Sequence, residues 1–120
     1  MASQTNTHIT TGQKGEQAAA RYLEENGYII ARRNYRYRRA EVDIIATQGD
    51  VLVFVEVKTR SSAVFGFPEE AVSTHKEAQL LSAAEEYIYQ TDWQKEVRFD
   101  IIAITLTPKL EIHHIEDAFH

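Results

Sequence analysis

The run AEVDIIATQGDVLVFVEVKTR, residues 40–60, constrains the fold more than any other stretch of the chain. Two apolar, β-branched segments flank a Gln-Gly-Asp turn, the pattern of an antiparallel hairpin in a sheet. Asp43, Glu56 and Lys58 are embedded in that pattern instead of bordering it. Side chains alternate along a strand, so Leu52, Phe54, Glu56 and Lys58 share one face and Val51, Val53, Val55 and Val57 the other. A Gly49-Asp50 loop sets Asp43 opposite Glu56, and a Gln48-Gly49 loop moves the pair by one diagonal step. Either even-numbered loop leaves both carboxylates on one face, whereas an odd-numbered loop or a bulge separates them.

Adjacent carboxylates repel, and an unpaired buried charge is costly, so a cation is expected between them. Lys58 offsets part of that charge. Acceptor-only oxygens converging from two strands make a site for a hard divalent cation, Mg²⁺ or equally Mn²⁺. Such a cation would activate a water and stabilise charge on a phosphodiester, with Lys58 orienting the water or neutralising the oxyanion. The competing expectation is an ion pair at a sheet edge with no chemical role.

Around the hairpin, residues 1–10 are polar and read as a disordered arm. A helix is expected from Thr11 as N-cap to Gly27, with Ala19, Ala20 and Leu23 as its inward stripe. Glu16 falls on the same stripe and would complete a carboxylate set with Asp43 and Glu56. YIIARRNYRY reads as a strand that leaves the core into an arginine-rich loop. SSAVFGFPEE is a Gly- and Pro-punctuated loop, and EEAVSTHKEAQLLSAAEEYIYQ a long helix with apolar spacing at Ala78, Leu81, Ala84, Tyr87 and Ile88. VRFDIIAITL and KLEIHHIEDAF supply two final strands. The order α-β-β-β-α-β-β predicts one α/β domain over 11–120, a mixed central sheet flanked by helices.

With 120 residues, one core is expected. The absence of cysteine excludes disulfides and thiolate metal sites. VLVFV is far too short to span a bilayer and the first residues lack a signal-peptide pattern, so a cytoplasmic location is expected, with no membrane partner. The net charge of -5 conceals a division along the chain. Residues 31–60 hold seven Lys/Arg against four Asp/Glu, a balance of +3, while residues 61–120 hold four against eleven, a balance of -7. A polyanion such as DNA would therefore meet Arg32, Arg33, Arg36, Arg38, Arg39 and Arg60, with Tyr35 and Tyr37 as stacking surfaces between them. The acidic second half offers a surface to a basic protein partner. Asp100 is expected to cap the sheet or to pair with Arg98 or another basic side chain rather than to bind metal. His113 and His114 point to opposite faces and read as surface residues, and Trp93, Tyr87 and Tyr89 as packing residues.

The set D-x12-E-x-K with an upstream helical Glu resembles the active site of the PD-(D/E)xK, restriction-endonuclease-like nucleases. More narrowly, KGEQAAARYL, NGYIIARRNYR, EVDIIA, LVFVEVKTR, FGFPEEAV and RFDIIAI resemble successive blocks of the YraN-like family, related to archaeal Holliday junction resolvases. The likeness spans Gly12 to Phe119. It implies a restriction-endonuclease-like fold and a Mg²⁺-dependent endonuclease that hydrolyses DNA, on branched or structured substrates. By the same resemblance Asp43, Glu56, Lys58 and Glu16 are catalytic, Asp43, Glu56 and Glu16 hold the metal, and Gln79 is an accessory polar residue. Two symmetric cuts in a four-way junction would imply a homodimer. Val42 replaces the proline of the nominal motif, and Ala40 stands where the family usually has Gly. The alternative expectation is a catalytically silent module of the same fold that binds nucleic acid or a protein; such a module would survive Lys58→Ala.

Overall fold

Thr10, one residue before the expected cap, starts the first helix. Its hydroxyl accepts from the Gln13 N–H while the Gln13 side chain accepts from the Thr10 N–H, a reciprocal capping box. Helix α1 runs Thr11–Glu25 and is capped by Asn26; Gly27 follows at φ +89°, a conformation that costs glycine little. As its spacing predicts, α1 buries Ala19, Ala20 and Leu23. It also buries Gly15. A Cβ there would lie 1.8 Å from Thr59 Oγ1 and 2.7 Å from Thr59 Cβ, so the close crossing of α1 over the sheet requires glycine.

The computed structural model describes residues 9–62 and 74–119. After α1 come β1 (Ile29–Tyr37), β2 (Ala40–Gln48), β3 (Val51–Ser62), α2 (Thr74–Thr91), β4 (Glu96–Thr107) and β5 (Glu111–Ile115). The five strands form one sheet in the order β1-β2-β3-β4-β5. β3 and β4 are parallel and the other neighbours antiparallel, so the sheet is mixed, as the element order predicts. The expected arm up to residue 8, the SSAVFGFPEE segment beyond Ser62 and the start of the expected long helix up to residue 73 lie outside the described residues. Among the described residues, no helix is long and apolar enough to cross a membrane.

Among the described residues, each sheet face carries one helix and one core. Ala19, Ala20 and Leu23 of α1 pack on Ile44, Ala46, Val53, Val55, Ile102 and Ile104. Leu80, Ala83, Ala84 and Tyr87 of α2 pack on Tyr35, Val42, Ile45, Leu52 and Phe54.

Four expectations change. YIIARRNYRY is strand to its end: Tyr37 pairs with Ala40, leaving only Arg38 and Arg39 in the turn, with Arg38 at φ +59°. The buried stripe of α2 is Leu80-Ala83-Ala84-Tyr87, whereas Ala78 and Leu81 are exposed. His114 is not a surface residue; its ring is 8% exposed and hydrogen-bonds to Asp100. Tyr89 is 83% exposed and does not pack.

Candidate active site

The hairpin closes with Gln48 opposite Val51 over a Gly49-Asp50 loop, Gly49 taking φ +58°, and pairing continues to Ile44 opposite Val55. There the paired register ends. The next residue along each strand is Asp43 on β2 and Glu56 on β3, so the two acids flank the opening where the strands part. Asp43 Oδ2 accepts a hydrogen bond from the Val57 N–H at 2.8 Å.

Strict alternation fails at this place. Val42 belongs to the α2-side core and Ile44 to the α1-side core, although two residues apart they should share a face. β2 therefore rolls over at Asp43. In the β1 register Arg33 faces Ile44 and Tyr35 faces Val42, which sets Asn34, at φ +53°, opposite the roll. The roll opens Asp43 to acids from both layers: Glu56 on the α2 side and Glu16 on α1. Burial, then the Glu56 charge, pushes the Asp43 pKa up to about 7, against the Val57 hydrogen bond; Glu16 adds to the rise.

Glu56 is buried, and among the described residues its Oε1 has no hydrogen-bond partner. Glu56 also lines a small cavity with Val42, Phe54, Leu80 and Phe99. Its Oε2 lies 2.6 Å from Lys76 Nζ. Burial alone would lower the Lys76 pKa, but the hydrogen bond to Glu56 and the charges of Glu56, Asp43 and Glu41 hold it above its ordinary value. Glu56 and Lys76 border an open cleft of about 380 Å³ together with Lys58 and Arg60.

Glu16 is partly buried, as expected, but both of its oxygens accept from the Asn34 amide at 3.1 Å, and Arg33 stands 3.6 Å away. It reaches Asp43 as a charge. Gln79 lines a different cleft of about 270 Å³, beside Tyr37, Arg38 and Arg39. Of the arginines, Arg32 and Arg38 sit over the rings of Tyr35 and Tyr37 at 5.1 and 5.2 Å, Arg36 stands 3.7 Å from Glu41, and Arg39 is exposed. The five from Arg32 to Arg39 thus belong to the outer hairpin of the sheet.

A divalent cation fits the donor set in part. Among the described residues, no three Asp, Glu or His side chains converge as a ready-made cage. Asp43 and Glu56 offer two carboxylates, one with an orphaned buried oxygen, beside an open cleft; Mg²⁺ is commonly held by one or two carboxylates plus waters and substrate phosphates.

Lys76 is not apparent in the sequence because alanines and leucines fall on both phases of α2. Once the buried stripe starts at Leu80, Lys76 lies four residues earlier on the same helix face.

A family model described as "Uncharacterised protein family UPF0102" matches residues 15–104. A UPF0102 protein of Christiangramia forsetii is 46% identical over 113 residues, covering 93% of this chain and 95% of the relative. One from Flavobacterium psychrophilum is 43% identical over 114 residues, with 94% and 96% covered. One from Rhodococcus opacus is 45% identical over 116 residues, with 93% and 98% covered. The matched span holds Glu16, Asp43, Glu56, Lys58 and Lys76.

Proposed function

The chain belongs to the uncharacterised protein family UPF0102, and we propose that it is a Mg²⁺- or Mn²⁺-dependent DNA endonuclease with a restriction-endonuclease-like fold. One observation carries the reading: Glu56 keeps a buried oxygen without a partner beside Asp43, whose pKa stands near 7, at the strand opening. Buried carboxylates short of positive charge are expensive unless something cationic is bound. The element order and the mixed sheet support the fold.

Asp43 and Glu56 would hold the cation. When bound, it supplies Lewis acidity toward the phosphodiester and acidifies a water. Lys58, bordering the same cleft, would donate to the charge that develops on the phosphoryl oxygens. The exposed guanidinium groups of β1 and its turn would take flanking phosphates, and Arg32 and Arg38, stacked over tyrosines, present flat cations to a backbone or a base.

The test is cleavage of labelled single-stranded, duplex, flap and four-way-junction DNA with Mg²⁺ or Mn²⁺, comparing the wild type with Asp43→Ala and Lys58→Ala. Metal-dependent cutting should fall by about 100-fold or more in both variants. Cutting unchanged in both would reject the assignment. Arg36, Arg38 and Arg39 replaced together by Ala should weaken DNA binding and reduce its salt slope by up to about 3 units; an unchanged slope would remove the outer hairpin from the DNA interface.

The ammonium of Lys76 on Glu56 favours a second reading, a non-catalytic DNA-binding module whose acids are served internally. It predicts no cutting, with affinity retained in Lys58→Ala.

A further inference from the structure

Lys76 is the residue that neither the motif nor the fold explains. Its side chain is 47% exposed, while that of its partner Glu56 is 6% exposed. The pair thus joins a half-exposed arm to a fixed carboxylate in the wall of the core. The same ammonium is felt by Asp43 and Glu41, so one positive charge serves three acids, and Glu56 Oε1 is still left without a partner. A single charge on a flexible four-carbon stem neutralises such a cluster incompletely. A divalent ion carries twice the charge and accepts several oxygens at once.

We propose that Lys76 is a displaceable counter-cation of the Asp43–Glu56 pair: its ammonium holds the place of a divalent cation in the metal-free protein and leaves when the cation binds. The proposal rests on the reading of Asp43 and Glu56 as cation ligands and adds a competitor to it. Displacement opens no part of the core, because Leu80, one helical turn on, anchors α2. The released ammonium stays at the cleft that Lys58 and Arg60 also border, where it would add positive charge for a phosphate. Cation entry and phosphate attraction are coupled through one side chain. The pair also keeps the acids tolerable before the ion arrives.

The experiment is calorimetric titration of the full chain with Mn²⁺ and with Mg²⁺, without DNA, for the wild type, Lys76→Gln, Lys58→Gln and Glu56→Gln. Removing the competitor should tighten cation binding by about ten-fold in Lys76→Gln. Lys58→Gln removes an equal charge from the same cleft and should tighten it by no more than about three-fold. Equal effects of the two, or no gain in Lys76→Gln, would overturn the counter-cation and leave the metal site standing. No uptake by any of the proteins, Lys76→Gln included, would overturn the metal site and the counter-cation together. Thermal unfolding of Lys76→Gln checks that it folds, and lysine acetylation of the wild type supplies a second readout. Saturating Mn²⁺ should raise labelling at Lys76 and leave exposed Lys95 unchanged; a fall or no change at Lys76 would count against displacement.

Discussion

Asp43 lies in EVDIIAT and Asp100 in RFDIIAI, two strand segments that share the run DIIA, yet the structure treats the two acids in opposite ways. Asp100 is buried on the α1 side and fully served. Arg98 grips both of its oxygens at 2.9 Å, His114 Nε2 lies 2.7 Å away and the Asp117 N–H donates at 3.1 Å. Nε2 facing a carboxylate must donate, which in the neutral ring leaves Nδ1 to accept from the Tyr22 hydroxyl at 3.1 Å. Arg98 also donates to the Tyr28 hydroxyl at 2.7 Å. Burial alone would raise the Asp100 pKa, but His114, Arg98 and the Asp117 N–H outweigh it and hold the pKa below the ordinary value. Asp43 has one hydrogen bond from backbone and a like charge beside it, and its pKa rises. A buried acid with a complete set of donors is part of the scaffold, whereas one left short of positive charge is poised to bind a cation.

The largest expected effect breaks the satisfied centre. Asp100→Ala strands a mostly buried guanidinium and should cost about 3–5 kcal/mol in urea unfolding. A loss below about 1 kcal/mol would mean the network is not structural. Next, Gly15→Ala drives a methyl into Thr59 beneath α1 and should cost about 1–3 kcal/mol, with recovery on adding Thr59→Ala. Absence of recovery would move the strain elsewhere.

Asp43→Asn should act in the opposite direction, stabilising the metal-free protein at pH 8 by on the order of 1–3 kcal/mol. The folded pKa of about 7 exceeds the ordinary 3.8, so the contribution of Asp43 to stability is full below 3.8 and is lost as pH rises through about 7. Asp100, with a lowered folded pKa, contributes above the ordinary carboxylate value and loses that contribution as pH falls through its folded pKa. Urea midpoints between pH 4 and 8 should therefore decline more in the wild type than in Asp43→Asn; parallel curves would refute the raised pKa. The smallest effect is at the surface. Lys95 and Asp50 pair at 3.1 Å but are 60% and 75% exposed, and Lys95→Ala should change stability by less than about 0.5 kcal/mol.

Much of this was legible in the chain. The hairpin and its turn were legible, but two even loops were open; the structure takes the Gly49-Asp50 loop, and its pairing stops at Ile44 opposite Val55, one residue short of Asp43 and Glu56. The α1 stripe and the order of elements along the chain followed from spacing, and Arg98 was one of the partners that the cost of unpaired buried charge suggested for Asp100. The α2 stripe followed only at Ala84 and Tyr87. Alanines and a leucine fall on both phases of that helix, so spacing alone admitted Ala78-Leu81 as readily as Leu80-Ala83, and with the wrong phase Lys76 was hidden. The burial of His114 is not legible in the chain, because its hydrogen-bond partners lie 14 and 92 positions away.

By itself the sequence determined which residue types alternate, where the hairpin turns and which acids enter the sheet, since those depend on neighbours along the chain. Only the tertiary structure decided which acid is served and which is left wanting. Arg98 and His114 converge on Asp100 across strand pairs, while the roll of β2 at Asp43 brings Glu16, Glu56 and Lys76 around one opening. The balance of charge in a buried site is a sum over side chains distant in sequence, so it takes its value only when the layers close.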